Sequence, residues 1–271
     1  MAFPETRPTL IQRIVSTGDN ADWRQFLDDY WGPVCRFAAY RSSLGVADVE
    51  DIASQTFEAL ISNKLLARWI VNRSAKLRTL ICTVTRNVMS NRARVDQGRA
   101  RLMREHLDQG GELVGLDAPV EQVDRFYAAW VEDLIEQAVE SLLSEYHQAG
   151  KGDYFRVLHG RLCEQMAMGE VAELLDLKIT SAENYFKAAR KRLTTILQDL
   201  VRQHVERYAA NADQDEFAAE WHALGEYLTE HGGLEDAVRR TYEGANVTSL
   251  RQRKTAQINL TLSRISSFEA E

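Results

Sequence analysis

Residues 170–193 read EVAELLDLKITSAENYFKAARKRL, a stretch that predicts two amphipathic helices joined by a short turn. The first helix covers the acidic segment around 171–175, the chain breaks at 176–178, and the second helix runs from Ile179 to about Leu200. Apolar residues recur at helical spacing in both segments. This pattern is typical of a helix-turn-helix, and a helical hairpin that only packs in a core is the alternative.

The second helix of this motif carries the residue types that contact duplex nucleic acid in helix-turn-helix proteins. Polar side chains near its start suit hydrogen bonds to the edges of nucleotide bases, and Lys and Arg side chains further along suit contacts to phosphates. The candidates for base edges are Lys178, Thr180, Ser181 and Asn184, and those for phosphates are Lys187, Arg190, Lys191 and Arg192. Glu183 lies among them and would repel phosphate.

A second stretch, residues 77–94, reads LRTLICTVTRNVMSNRAR and predicts another amphipathic helix. Its apolar face is expected to pack inward, and its other face presents basic side chains interleaved with amide side chains. These residues are Arg78, Arg86, Asn87, Asn91, Arg92 and Arg94. Such a face suits unpaired DNA, because the edges of the unpaired bases accept hydrogen bonds and the phosphates need neutralising. A solvated helix surface is the alternative.

The charge distribution agrees with contact to a polyanion at two places. The chain of 271 residues has 33 Lys and Arg against 40 Asp and Glu, a net charge of −7. Residues 76–104 nevertheless hold eight bases against Asp96 alone, and bases return at 183–192. The segment between these two basic islands is strongly acidic. Chance clustering on solvated helices is the competing interpretation.

The fold class follows from periodicity along the rest of the chain. Apolar spacing is helical nearly everywhere and strand alternation is nearly absent, so we predict an all-α fold. Pro33 is expected to lie in the first turn of a new helix. Glycines between 105 and 119 predict a linker, and helical patterns resume after about residue 206.

Several function classes have no support in the sequence. No phosphate-binding glycine motif, metal-ligand spacing or activated nucleophile is present, so we expect no enzyme, no cofactor and no metal. Three widely spaced cysteines indicate a reducing cytoplasm. The chain has no run of 18 apolar residues and no apparent secretory signal, so membrane insertion is not expected.

A third motif, DVEDIASQTF at residues 48–57, completes a resemblance when it is combined with 77–94 and 170–193. In this order the three motifs resemble regions 2.2, 2.3–2.4 and 4.2 of extracytoplasmic-function sigma factors, the smallest class of the sigma-70 family. The similarity covers roughly residues 20–205. The Trp130 helix and the run that follows it are similar to a planctomycete-type branch.

The resemblance implies that successive segments of the chain form domains with different binding partners. Residues 1–100 would form a region 2-like domain, 101–120 a linker, 121–205 a region 4-like domain, and 206–271 an extension. Asp48, Asp51 and Gln55 would dock on the β′ clamp helices of core RNA polymerase, with Phe57 packed inside, and the β flap is a further implied partner. The basic and amide residues of 77–94 would capture the −10 element of promoter DNA as it unpairs. The residues implied for the −35 element are Lys178, Thr180, Ser181, Asn184, Lys187, Arg190 and Lys191.

The extension and two departures from the family qualify this interpretation. Leu77 and Leu80 replace the usual aromatics, and Glu183 replaces a frequent Lys. The extension is acidic and amphipathic, and the two islands described above are basic. We therefore hypothesise that the extension folds back on a DNA-binding domain or recruits a regulator. An anti-sigma factor is one such partner, and a Ser/Thr kinase acting on Thr248, Ser249 or Thr255 is another. A DNA-binding regulator that works without polymerase and a scaffold that has lost DNA binding are the rival functions.

Overall fold

Helices account for all the regular structure in the part of the chain that the structure describes. The computed structural model describes residues 9–40, 45–62, 64–71, 76–96, 119–209, 214–243 and 247–269. The all-α prediction is confirmed over these residues. The predicted linker lies outside them except for Pro119 and Val120. None of the described helices is both long and apolar enough to cross a membrane.

Twelve helices follow one another along the described residues. They are α1 (Leu10–Thr17), α2 (Asn20–Tyr40), α3 (Val46–Ser62), α4 (Leu65–Val71), α5 (Leu77–Asp96), α6 (Val120–Gln148), α7 (Gly152–Leu162), α8 (Met168–Leu174), α9 (Ile179–Tyr208), α10 (Gln214–Glu230), α11 (Gly233–Glu243) and α12 (Val247–Glu269).

The helices separate into two compact units. The α3 unit contains α1–α5, α6 as far as Trp130, and α12. The α9 unit contains α6 from Val131 onward and α7–α11. The extension after residue 206 is therefore shared, because α10 and α11 belong to the α9 unit and α12 belongs to the α3 unit.

An aromatic cluster forms the centre of the α3 unit. Phe57 of α3 is fully buried, as predicted, and stacks on Trp31 of α2 with ring centroids 5.8 Å apart. Phe26 meets the Phe57 ring edge-on at 5.7 Å. The expectation that a new helix begins at Pro33 is wrong, because α2 continues through this buried proline. The apolar residues of α2 on both sides of Pro33 pack into one core, which favours a continuous helix.

Candidate nucleic-acid and protein interfaces

The helix-turn-helix lies where the sequence predicts it, with α8 ending at Leu174 and α9 beginning at Ile179. The turn is closed by the Leu177 amide, which donates to the Ala172 carbonyl at 2.8 Å. Asp176 adopts a left-handed conformation with φ of 53°, which Asp tolerates better than most residues. The chain therefore passes from α8 to α9 through a turn of four residues.

Small residues allow the inner side of this motif to pack closely. Val171, Ala172 and Ala182 are buried with Val157 of α7 in one cluster. A Cβ added to Gly160 of α7 would lie 3.1 Å from Cγ2 of Val171. The absence of a side chain at Gly160 lets α7 approach α8, and this packing fixes the orientation of α9.

The outer side of α9 presents a line of exposed polar residues. Thr180, Asn184, Lys187 and Lys191 are all exposed and follow one another at intervals of three or four residues. They therefore share one helix face, which we call the polar stripe. Buried Ala182 lies on the opposite face. The two other candidates near the turn differ, since Lys178 is exposed and Ser181 is partly buried.

Two predicted phosphate contacts are paired within the protein instead of lying on the polar stripe. Arg192 donates two hydrogen bonds from Nε and one from Nη2 to Glu145 of α6, at 2.7–3.0 Å. These hydrogen bonds hold the pKa of Glu145 below its usual range. Arg190 lies 3.4 Å from Glu235 of α11. An acid of the extension thus reaches a predicted DNA-binding base, as the fold-back hypothesis expects.

The structure divides α5 into a buried first half and an accessible second half. Nearly every side chain from Leu77 to Thr85 is buried. Arg78 is among them, with its guanidinium 4.4 Å from the Trp130 ring centroid and 5.0 Å from that of Tyr127. The expectation that Arg78 shares an exposed face with the later residues is therefore wrong, because the start of α6 covers it.

The second half of α5 retains most of the predicted basic and amide residues. Asn87 is exposed, and Arg86 and Asn91 are partly exposed. Arg92 is paired with Asp48 of α3 and lies 3.7 Å from Asp51. The side chain of Arg94 lies outside the described residues.

The predicted polymerase-binding residues follow one flank of α3. Asp51 and Gln55 are exposed, and Asp48 is partly exposed beside Arg92. Val49 and Ile52 are buried on the inner side. The spacing of 48, 51 and 55 therefore places the three candidates on one accessible line along the helix.

Helix α12 of the extension packs on α2 and α3, which agrees with the fold-back hypothesis, but the sequence reasoning did not identify this helix or its buried residues. Ile258, Thr261 and Ile265 of α12 are fully buried there. Their spacing of three and four residues is the signal that could have identified a buried face. Of the proposed phosphorylation sites, Thr255 is exposed, and the side chains of Thr248 and Ser249 lie outside the described residues.

The charge of this contact is the reverse of the acid-on-base arrangement that motivated the fold-back hypothesis. Arg253 lies 2.8 Å from the carboxylate of Glu50, which is only 2% exposed. Burial raises the pKa of Glu50 above its usual range, although Arg253 acts in the opposite direction. Bases of the extension therefore cover acids of α3.

No cluster of three or more metal-ligating side chains occurs among the described residues. Comparison of the chain with family models, curated proteins and solved structures gives no match.

Proposed function

We propose that this chain is a sigma factor of the extracytoplasmic-function type, which directs bacterial core RNA polymerase to promoters and helps to open them. The observation that carries the proposal is the polar stripe on the second helix of a helix-turn-helix. The motif order in the sequence, which resembles regions 2.2, 2.4 and 4.2, turns a general DNA-binding assignment into this specific one. In this proposal the α3 unit includes the region 2-like domain, and the α9 unit includes the region 4-like domain from Val131 onward.

The polar stripe is proposed to read the −35 element in the major groove. Thr180 and Asn184 would contact base edges, and Lys187 and Lys191 would contact phosphates. Their exposure on one face supports this role, because a helix in the major groove offers one face to the DNA. Arg190 joins this set only if its contact with Glu235 opens.

The accessible end of α5 is proposed to capture the unpaired −10 strand. Arg86, Asn87 and Asn91 supply one cation and two amides on the exposed half of the helix. Capture of extruded bases would offset the few kcal/mol that unpairing and unstacking cost. Buried Arg78 is left out of this surface, and its proposed role is to hold α5 against α6.

Core RNA polymerase is proposed to bind the accessible flank of α3 through Asp51 and Gln55. Asp48 would support this surface by positioning Arg92. Contact of the region 4-like domain with the β flap, and regulation by an anti-sigma factor or a Ser/Thr kinase, are further partner proposals that come from the resemblance and the extension.

Transcription from fragmented genomic DNA tests the proposal, because it requires no chosen promoter. The chain is combined with core polymerase from the same bacterium, the DNA fragments are transcribed, and the RNA 5′ ends are sequenced. We expect new start sites that core polymerase alone does not produce and that share two upstream motifs. Start sites identical to those of core polymerase alone would contradict sigma activity.

Matched variants assign the two DNA surfaces. The pair Asn184→Ala and Lys187→Ala should weaken selection of the upstream motif, whereas Gln203→Ala, an exposed change further along α9, should not. The pair Arg86→Ala and Asn87→Ala should reduce strand opening, measured by permanganate reactivity of thymines. Ser90→Ala, an exposed change on α5, is its control.

A regulator that binds duplex DNA without polymerase is the second candidate. The observation that favours it is that the polar stripe is exposed on α9 within its own unit, where it could contact duplex DNA directly. Tight binding of the isolated chain to specific duplex sites, without start sites in the transcription assay, would select this alternative.

A further inference from the structure

Helix α3 is an acidic helix whose carboxylates are all paired within this chain. Its sequence, residues 46–62, contains four acids and no base. Arg92 of α5 pairs with Asp48 and Asp51 on the accessible flank. The other two acids, Glu50 and Glu58, are paired by α12, which covers the adjacent flank of the same helix.

The described side chains of α12 are matched to this flank in charge and position. They include three bases and no acid. Arg253 lies 2.8 Å from Glu50, and Arg264 lies 3.2 Å from Glu58. The third base, Lys254, donates to the main-chain carbonyl of Asp28 on α2 at 2.8 Å.

The buried part of the contact contains polar groups beside the two buried isoleucines of α12, Ile258 and Ile265. The hydroxyl oxygens of Ser54 and Thr261 are 2.5 Å apart, and both residues are buried. Oε2 of Glu50 accepts a hydrogen bond from Gln257 and lies 2.8 Å from Nη2 of Arg253, but Oε1 has no hydrogen-bond partner among the described residues. A buried carboxylate that is only half satisfied is costly. Removal of α12 would return it to water.

The α3 unit also has a core that does not depend on α12. The stacked rings of Trp31 and Phe57, with Phe26 beside them, join α2 to α3 directly. Helix α5 packs on both of these helices as well. These contacts between α2, α3 and α5 do not involve α12, so its departure would leave them in place.

We propose that α12 is an intramolecular competitor of the polymerase for α3. A basic partner surface is attracted to an acidic helix, and arginines already paired with that helix reduce the attraction. While α12 is docked, Arg253 and Arg264 neutralise Glu50 and Glu58. Its release would expose an acidic flank next to Asp51 and Gln55 and extend the surface available to a basic partner helix. This inference rests on the proposed function, since it names a regulation of the same polymerase-binding helix.

A reversible cross-link in the full-length chain tests the proposal. Replacement of the adjacent hydroxyl residues, Ser54→Cys with Thr261→Cys, would lock α12 on α3 when oxidised and free it when reduced. We expect the oxidised form to bind core polymerase roughly tenfold more weakly than the same sample after reduction, a coupling of the usual size. The unsubstituted chain under both conditions is the control.

Charge reversal provides a second route that does not depend on forming the disulfide. The pair Arg253→Glu and Arg264→Glu should release α12 and strengthen binding to core polymerase. Thr255→Glu with Ser263→Glu, which places two acids at exposed positions of the same helix, is the matched control and should change binding much less.

The possible outcomes separate this inference from the function on which it rests. Equal polymerase affinity of the oxidised and reduced forms, with no gain on charge reversal, would overturn the competitor role and leave the sigma assignment intact. Failure of every form to bind core polymerase would overturn both.

Discussion

The double substitution Ile258→Ala with Ile265→Ala asks whether α12 is a detachable helix or a permanent part of the α3 unit. Both isoleucines are fully buried. If α12 could not leave, each replacement would cost about 2–5 kcal/mol, and the pair about 4–10 kcal/mol, because cavities would remain in the core. If α12 can detach, the loss in the free energy of unfolding is limited, because it cannot exceed the free energy with which α12 docks on α2 and α3.

The structure indicates a docking free energy of a few kcal/mol. Burial of two isoleucine side chains contributes about 3–6 kcal/mol. The ion pair of Arg264 with Glu58 contributes below about 1 kcal/mol. The attraction of Arg253 for Glu50, whose side chain is only 2% exposed, is offset by the cost of burying that carboxylate, and ordering of the helix opposes docking. We therefore expect the double variant to lose clearly less than the additive sum, with α2 and α3 still folded.

Hydrogen exchange followed by mass spectrometry shows which helices remain folded in the double variant. Urea unfolding measures the total loss of stability. In the double variant, amides of α12 should exchange rapidly while those of α2 and α3 remain protected. Leu260→Ala, at a 55% exposed position of α12, is the matched control and should have little effect. Phe57→Ala should destabilise the whole unit by about 3–5 kcal/mol. Additive losses, with α2 and α3 exchanging together with α12, would refute the reasoning.

Three further predictions address the candidate surfaces. Arg78→Ala should lower the free energy of unfolding by about 1–3 kcal/mol in urea titrations, because it removes a buried guanidinium that lies over the rings of Tyr127 and Trp130. Arg86→Ala should leave stability nearly unchanged, and equal effects would contradict the different burial of the two residues. Glu145→Gln should cost below about 1 kcal/mol at pH 7, since the Glu145 and Arg192 side chains are each about two-fifths exposed. Because hydrogen bonds from Arg192 lower the pKa of Glu145, this stabilisation is present above the ordinary value of 4.5 and is lost as the pH falls through the lowered pKa, so urea midpoints of the variant and the parent should converge in acid; a constant gap would contradict this. Glu183→Lys, at an exposed position beside the polar stripe, should strengthen −35 binding and steepen its logarithmic salt dependence by about one unit, and unchanged affinity would place Glu183 away from the DNA.

Local patterns were sufficient for the helix-turn-helix and the outer face of α9. The break predicted at 176–178 falls in the observed turn, and Ile179 begins α9 as expected. These features depend on residues that are close in sequence, where apolar spacing and turn residues determine the outcome. The same holds for buried Phe57 within its motif.

Long-range packing explains what the sequence could not predict. Arg78 fits an exposed amphipathic face by spacing, but Tyr127 and Trp130 from another helix cover it. Docking of α12 joins residues more than 200 positions apart, such as Ser54 and Thr261. Periodicity identifies a buried face but does not identify the surface that buries it.

The affinity of the full-length chain for core RNA polymerase tests the central claim most directly. The informative variant combines Asp51→Ala with Gln55→Ala, which removes two exposed side chains of α3 and leaves the pair of Asp48 with Arg92 in place. Ser62→Ala, an exposed change at the end of α3, is the control. We predict tight binding by the parent and the control and a clear loss in the double variant. Equal binding by all three, or binding by none, would contradict the assignment of α3 as the polymerase-binding helix.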